Sequence, residues 1–371
     1  MSSLKISSLI PTRPASLRRT LSSSNFGSGF IEDELEKLGL DITRLAVDMP
    51  RSVAWLTRQS NKLPFFAGQR ELFYGVLRQH YAGVRTLPPE NLLLAFYSSE
   101  VEPPRRGLYA TFEDMTVRQA IDHGAYGYGE LARRQAEAAC ERQKRWYQGA
   151  LVCFAQSQWA ADSIVNDFGV SPESVLVVGQ KVPTTSRQQQ AIERDWSVPR
   201  FLFVGLDWER KNGARVVEGF RSVRSVHPNA ELHLVGRVPD VHEPGVTSHG
   251  FLDHAIPEDN RAWQHLLSTC TCLAMPSLIE PGGTAHAEAL ISGVPVIGTD
   301  VGGNREVIGR AGIVVTPTDQ REITDAMLRM CSPDLARSLG SLGPESEGIA
   351  TAEEIAVKIR DGLMARLPRG D

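Results

Sequence analysis

Two glutamates flank a glycine-rich turn within residues 274–306 and could together hold the hydroxyl groups of a ligand. Glu280 precedes Pro281-Gly282-Gly283, and Thr284 begins a predicted helix that carries Glu288. Free N–H groups at a helix N-terminus, with the helix dipole behind them, suit a phosphate or a polyol. Glycines let a ligand approach the backbone closely. We expect Glu280 to end the preceding strand and Glu288 to lie a turn into the helix, so that both face one ligand.

The spacing of the two glutamates is weak evidence by itself, because Glu345 and Glu353 repeat it in a polar tail. Only Glu280 stands between an apolar predicted strand and a glycine-rich helix start. The alternative is a helix-capping carboxylate with an unrelated surface glutamate.

Two adjacent cations follow another predicted strand, residues 201–205. Arg210 and Lys211 precede Asn212-Gly213, where a helix is expected to begin. Positive charge at such a loop can neutralise a diphosphate as it leaves. A solvated pair at the start of a helix is the plainer alternative.

The first stretch resembles the donor-binding segment of retaining GT-B glycosyltransferases of family 4 (glycosyl transferases group 1), which carry a glutamate, seven residues and a second glutamate. The chain departs from the usual pattern at Gly282, often aromatic in the family, and at Thr284, often leucine. The matching residues are Glu280-Pro281, Gly283, Glu288-Ala289, Gly293-Val294-Pro295-Val296-Ile297 and Asp300-Val301-Gly302-Gly303-Asn304-Arg305-Glu306.

The resemblance implies roles for these residues. Glu288 should bind the ribose hydroxyls, while Glu280 should lie beside the donor sugar. Lys211 matches the lysine of a family Lys-Gly element, although Asn212 separates it from Gly213, and Arg210 is the candidate for the accompanying arginine. The helix start at Gly283-Thr284 would receive the diphosphate.

Other loops resemble weaker family elements. Three loops resemble those that surround the nucleotide in the family, and they contain Gly205, Arg237 and Leu252. The loops of Arg237 and Leu252 are similar to the family's contacts with the nucleotide base. The alternative is that these loops are plain turns at strand ends. Gly27 and Gly29 resemble the family's N-terminal glycine loop, a weak signal.

The resemblance also implies that a polar residue near the end of the strand predicted at residues 107–112 hydrogen-bonds the donor sugar. Asp114 is the nearest position and His123 a second candidate. The alternative for Asp114 is a cap on the helix that follows from Thr116.

Strand and helix patterns alternate on both sides of the polar stretch 181–200, which predicts an α/β protein with parallel sheets. The resemblance specifies a GT-B fold, with two doubly wound Rossmann-like domains facing across a cleft. We expect an acceptor-side domain at 1–185, a linker at 186–199, a donor-binding domain at 200–350 and a C-terminal helix, 351–371, that crosses back. Long helices are predicted at residues 66–81 and 116–146.

Composition limits the function classes. A chain of 371 residues with net charge −4 and pI near 6.2 is a poor candidate for bulk nucleic-acid binding. Five cysteines are too few for a disulfide scaffold, which indicates buried thiols in the cytoplasm. Residues 1–31 carry four basic and no acidic side chains, so this face could contact anionic lipid at the inner membrane surface, or be simply solvated. Its serine content also resembles a transit peptide, but residues 4–10 favour a first strand.

The partners that the resemblance implies are a nucleotide-diphosphate sugar, as co-substrate, and a glycan, lipid-linked or small-molecule acceptor. No resident cofactor is expected. The chain contains no Asp-x-Asp sequence, which favours a metal-independent enzyme over the metal-dependent GT-A type. Two alternatives remain open: a sugar-nucleotide epimerase of the same fold, and a non-catalytic sugar-nucleotide binding protein.

Overall fold

The computed structural model describes residues 4–9, 28–45, 91–97, 102–182 and 194–368. Gly27 and the helix predicted at residues 66–81 lie outside these residues. The chain divides into two compact units, one formed by Met1–Val178 with Glu353–Asp371 and the other by Gly179–Ala352.

The first unit contains a six-stranded parallel sheet in the order β2-β1-β3-β4-β5-β6. The strand Leu92–Phe96 is a continuous apolar run, and all of its side chains are buried, as expected for a strand covered on both faces. The strands are β1 (Lys5–Leu9), β2 (Asp41–Leu45), β3 (Leu92–Phe96), β4 (Tyr109–Glu113), β5 (Cys153–Ala155) and β6 (Val175–Val177). The α-helices of this part are α1 (Ser28–Lys37), α2 (Val117–Asp122), α3 (Arg133–Gly149) and α4 (Gln158–Asn166).

The prediction of a single helix over residues 116–146 is wrong. α2 ends at Asp122, a 3₁₀ segment covers Ala125–Glu130, and α3 starts only at Arg133. Gly124 and Gly127 have φ values of 62° and 83°, which a right-handed helix does not contain. These glycines therefore break an otherwise amphipathic pattern.

The second unit contains a six-stranded parallel sheet in the order β10-β9-β8-β11-β12-β13. The strand predicted at residues 201–205 is found, beginning one residue earlier, as one of the six strands of this sheet. They are β8 (Arg200–Gly205), β9 (Glu231–Gly236), β10 (Val246–Gly250), β11 (Cys272–Ala274), β12 (Val296–Thr299) and β13 (Gly312–Val315), and a separate parallel pair joins β7 (Gln180–Lys181) to β14 (Ile349–Ala350).

Helices flank this second sheet. The helix Pro333–Ser341 was not predicted, although Ser332 caps it and proline occupies its first turn, a recognised start signal. The α-helices that follow β8 along the chain are α5 (Gly213–Val226), α6 (Pro257–Thr269), α7 (Thr284–Ile291), α8 (Asn304–Ile308), α9 (Gln320–Met330), α10 (Pro333–Ser341) and α11 (Ala352–Met364).

Helix α11 packs on the first unit, to which most of it belongs. A Cβ added to Gly362 would lie 2.7 Å from Leu176 Cδ1, and Lys358 Nζ donates to the Val178 carbonyl at 3.0 Å. The glycine lets this helix approach β6 closely.

Candidate donor-binding site

Glu280 lies in a loop between β11 and α7 and not at the end of a strand as predicted, because β11 already ends at Ala274. Backbone hydrogen bonds fix this loop from two sides. Glu280 N donates to Val301 O at 3.1 Å, and Leu278 N donates to Arg210 O at 2.8 Å. A Cβ on Gly302 would lie 2.2 Å from Glu280 O, so only glycine fits there.

The Glu280 carboxylate forms a buried ion pair with Lys211. Lys211 Nζ donates to Glu280 Oε2, and the two side chains are only 13% and 7% exposed. Ser277 Oγ donates to the same oxygen at 3.1 Å, and Arg210 Nη1 lies 3.8 Å from it. Two cations and one hydroxyl group therefore lie close to the same carboxylate oxygen of Glu280.

Glu280 is ionised despite its burial. Burial alone would raise the pKa of this carboxyl, but the positive charges of Lys211 and Arg210 outweigh it and lower the pKa to about 2. Burial lowers the pKa of Lys211, with Glu280 acting in the opposite direction. The carboxylate thus holds the two cations in place, and Asp207 Oδ2 lies 3.6 Å from Arg210 Nε on the exposed side.

The loop carrying the cations is held by Asn212, the residue that separates Lys211 from Gly213. Asn212 adopts a left-handed conformation, φ 66°, at the start of α5, which asparagine tolerates better than most residues. Its Nδ2 donates to Pro276 O at 3.0 Å and to Pro317 O at 2.6 Å. The departure from the family pattern therefore ties this loop to the Glu280 loop.

Helix α7 begins with an N-terminus that no side chain caps. Gly283 is the capping position, with φ 93°, and Thr284 is the first helical residue. A Cβ on Gly283 would lie 2.4 Å from His286 Nδ1. Asn304 Nδ2 supports the turn by donating to Gly282 O at 3.3 Å. Uncapped N–H groups at such a position can bind an anion.

His286 is fully buried beneath this turn. Its Nε2 lies 3.3 Å from Met275 O, and since a carbonyl only accepts, Nε2 carries the proton. Nδ1 is then an acceptor, buried without a hydrogen-bond partner. Burial lowers the pKa of His286 to about 4, so the ring is neutral at neutral pH.

Glu288 lies one turn after Thr284 on α7, partly buried. Burial raises the pKa of its carboxyl to about 8, and the positive charge of Lys181 opposes this rise. Glu280 and Glu288 therefore differ in electrostatic setting, the first compensated by two cations and the second by one lysine.

The predicted nucleotide-side loops follow neighbouring strands of the same sheet. Gly205 ends β8, and its carbonyl accepts from Arg237 N at 2.9 Å. A Cβ on Gly236 would lie 1.9 Å from Gly205 O, which accounts for the glycine there. The Arg237 side chain is exposed, while Leu252 packs on the core of the second unit.

Asp114 and Gly29 belong to the first unit. The capping alternative for Asp114 is wrong, because the Thr116 side chain itself caps α2 in a capping box with Gln119. Asp114 instead lies near Tyr97. Burial raises the pKa of Tyr97, and the negative charge of Asp114 raises it further. Gly29 is inside α1 and not in a loop before it, since the helix starts three residues earlier than predicted.

Four residues of the site were not singled out for it by sequence: Ser277, Asn304, Lys181 and His286. Ser277 and Asn304 each donate one hydrogen bond to a loop of the site. No local sequence pattern predicts such bonds. Lys181 stands in a polar stretch that suggested a linker. His286 stands between the two glutamates in the sequence, and the structure buries it.

Within the ranges that the structure describes, no helix is long and apolar enough to cross a membrane. The same residues contain no cluster of three or more histidine, cysteine or acidic side chains suited to a metal ion. All five cysteines are free thiols, and Cys140 is only half-buried where burial was expected.

Residues 198–332 match the family model described as Glycosyl transferases group 1. Over this segment, the match confirms the predicted resemblance to glycosyl transferases group 1. This segment contains Arg210, Lys211, Glu280 and Glu288, so the family match covers the whole cation and glutamate cluster.

A curated relative is the MMP alpha-(1->4)-mannosyltransferase of Mycolicibacterium hassiacum, 28% identical over 231 residues. The match covers 59% of this chain and 52% of that protein, so the chain spans about half the length of this relative.

The fold is similar to solved glycosyltransferase structures. WaaG, a glycosyltransferase involved in lipopolysaccharide biosynthesis, matches with a TM-score of 0.65 at 15% identity, over 96% of this chain and 99% of that chain. Sucrose-phosphate synthase from Thermosynechococcus elongatus matches with a TM-score of 0.62 at 18% identity, over 98% of each chain. Together with the two doubly wound sheets, these likenesses confirm the predicted GT-B fold class.

Proposed function

We propose that this protein is a retaining, metal-independent glycosyltransferase that moves a sugar from a nucleotide-diphosphate sugar to an acceptor. The observation that carries the proposal is the buried Lys211–Glu280 pair beside the uncapped N-terminus of α7. The match of residues 198–332 to the glycosyl transferases group 1 supports it.

The chemistry requires stabilisation of a departing nucleoside diphosphate. As the bond from the anomeric carbon to the phosphate oxygen breaks, negative charge grows on the diphosphate. Arg210 and Lys211 supply positive charge, and the N–H groups at Thr284 supply hydrogen bonds. These groups are held before the substrate arrives, which is the condition for electrostatic catalysis.

The glutamates are proposed to act on the two sugars of the donor. Glu280, kept ionised by the cations, hydrogen-bonds the transferred sugar and favours positive charge at its anomeric carbon. Glu288 binds the ribose hydroxyls. Gly205, Arg237 and Leu252 line the base.

The acceptor is proposed to be a glycan, a lipid-linked sugar or a small molecule. Relatives named for a mannosyltransferase and for a D-inositol 3-phosphate glycosyltransferase support glycosyl transfer. A lipid-linked acceptor would suit the basic stretch of residues 1–31, which could contact an anionic membrane surface.

Incubation with radiolabelled nucleotide sugars and a bacterial glycan or lipid extract tests the proposal. We expect label in an acceptor product whose anomeric configuration, read by NMR, equals that of the donor. Epimer formation without an acceptor would indicate an isomerase instead, and binding without turnover would indicate a binding protein.

Variants connect the activity to the site. Lys211→Ala and Glu288→Ala should each abolish transfer, while the exposed controls Lys37→Ala and Glu218→Ala should leave it unchanged. Near-normal rates in both site variants would exclude the site assignment.

A further inference from the structure

Asn304 is a fully buried polar residue that lies against the glycine-rich turn of the candidate site. It is the first residue of α8, and none of its surface is exposed. A buried amide is costly unless its donors and acceptors find partners. The two ends of this amide bond to two different segments, the end of β12 and the turn before α7.

Strand β12 fixes which way the amide points. Asn304 Oδ1 accepts from Thr299 N at 3.3 Å. Gly298 makes room for this side chain, because a Cβ there would lie 2.4 Å from the same oxygen. Since the carbonyl oxygen of the amide faces an N–H donor, the NH₂ group is the end that faces the turn. There Asn304 Nδ2 donates to Gly282 O at 3.3 Å.

The bond to Gly282 sets the direction of the next N–H group. The peptide between Gly282 and Gly283 is trans, and in a trans peptide the C=O and N–H groups point in opposite directions. Because the Gly282 carbonyl points at the buried Asn304 amide, the Gly283 N–H points away from the buried side of the turn. Gly283 itself is partly exposed, so this N–H is directed to where a ligand can reach it.

The same turn borders the cation and glutamate cluster. A Cβ on Gly283 would lie 3.2 Å from Glu280 Cγ. The Glu280 carboxylate binds Lys211, and Arg210 Nη1 lies 3.8 Å from it. An anion attracted by these cations therefore approaches the Gly283 N–H.

We propose that Asn304 is a positioning residue for the donor diphosphate: its side-chain amide holds the Gly282–Gly283 peptide with the N–H turned outward, where it donates to a phosphate oxygen. This inference rests on the proposed function, and it gives a part in donor recognition to a residue for which the resemblance implies no role. Asn304 acts through the peptide and does not itself touch the nucleotide.

The physical basis is preorganisation of a flexible turn. Glycine adopts many backbone conformations, so the peptide between two adjacent glycines can rotate widely unless something holds it. An N–H group that is held in place before binding needs no ordering when the anion arrives. Loss of the Asn304 amide should therefore weaken binding of the diphosphate and leave binding of the nucleoside part unchanged.

Ligand-observed NMR titrations of the full chain separate the diphosphate contribution from that of the nucleoside. The probes are UDP, GDP and ADP, each compared with its nucleoside. For the nucleotide that binds, Asn304→Ala should weaken diphosphate binding about tenfold, which corresponds to about 1.4 kcal/mol, and should leave nucleoside binding within twofold. Asn229→Ala, at an exposed asparagine ahead of β9, is the matched control and should change neither.

An equal loss for nucleotide and nucleoside in Asn304→Ala, or no loss for either, would overturn the role of Asn304 and leave the proposed function intact. Failure of the wild type to bind any of the three diphosphates would count against the proposed function itself, and the inference would fall with it.

One NMR cross-peak reports both ends of the peptide. The chain contains two Gly-Gly links, Gly282-Gly283 and Gly302-Gly303, so an HNCO spectrum of protein labelled with ¹³C′,¹⁵N-glycine shows these two alone. The peak that disappears in Gly303→Ala belongs to Gly303, whose φ of −75° alanine can adopt. The remaining peak joins the Gly282 carbonyl carbon to the Gly283 N–H.

This peak tests the inference at the peptide itself. In ligand-free Asn304→Ala, loss of the hydrogen bond should move the Gly282 ¹³C′ resonance upfield. Inorganic pyrophosphate should move the Gly283 amide proton downfield in the wild type, and by less in Asn304→Ala. An unchanged Gly282 resonance in the variant would overturn the inference. So would a wild-type Gly283 amide proton that does not respond to pyrophosphate, a result that does not depend on the folding of Asn304→Ala.

Discussion

The ammonium of Lys211, which follows β8 and its loop, binds the carboxylate of Glu280, which follows β11, and both side chains are buried. The two residues are 69 positions apart in the chain, yet β8 and β11 are neighbours in the sheet. Because parallel neighbours end at the same edge, the topology itself joins the cation to the acid.

This pair should be a large element of the stability of the second unit. Lys211→Met should lower the free energy of unfolding by about 3 kcal/mol, because it leaves Glu280 with less compensation in a buried place. Urea denaturation measures the change. The double variant Lys211→Met/Glu280→Gln should lose less than the single one, and Lys37→Met, at a surface ion pair, should change stability by under about 1 kcal/mol. A single-variant loss as small as that of the control would contradict a buried ion pair.

His286 should make the protein sensitive to mild acid. Burial lowers its pKa from 6.5 to about 4. Between these two pH values the unfolded state therefore binds a proton that the folded state does not bind. Stability should therefore fall by about 3 kcal/mol as the pH drops from 6.5 to 4. His286→Gln should lose this part of the dependence in urea titrations at several pH values, while the exposed His242→Gln should retain it. Identical curves for the wild type and His286→Gln would contradict the neutral buried ring.

Asn212 should contribute through both its backbone and its amide. Asn212→Gly keeps the left-handed conformation but removes the two hydrogen bonds to Pro276 and Pro317. It should therefore lower the free energy of unfolding by about 2 kcal/mol. Asn212→Ala adds backbone strain of about 1 kcal/mol. Thermal unfolding should thus rank the wild type above Asn212→Gly and Asn212→Gly above Asn212→Ala. A glycine variant as stable as the wild type would show that the amide bonds contribute nothing.

Gly283 should tolerate no side chain. In Gly283→Ala the new Cβ would meet the His286 ring at 2.4 Å in a backbone conformation with φ 93°. We expect the free energy of unfolding to fall by well more than the strain of about 1 kcal/mol that a left-handed alanine costs. We also expect nucleotide binding to be lost. Gly169→Ala isolates the strain, since its φ is 68° and nothing lies within 4 Å of its Cβ. Equal destabilisation of the two variants in urea titrations would exclude the clash.

The second sheet could be predicted from the sequence because each strand is a short apolar run between turn residues, and the resemblance added its place in a known fold. The residues of the cation and glutamate cluster were predictable for the same reason, since Arg210, Lys211, Glu280 and Glu288 lie within local motifs.

What the sequence could not supply depends on contacts between distant residues. The Asn212 bonds to Pro276 and Pro317 join segments that only the fold brings together. The break between α2 and α3 was missed for a local reason, because the pattern of apolar residues continued across glycines that in fact adopt positive φ.

A crystal soaked with a nucleoside diphosphate tests the central claim most directly. The account predicts that the diphosphate lies at the N-terminus of α7, within hydrogen-bond distance of Thr284 N and in contact with Arg210 or Lys211, and that the ribose hydroxyls lie against Glu288. A nucleotide bound elsewhere, with the α7 N-terminus and both cations untouched, would contradict it.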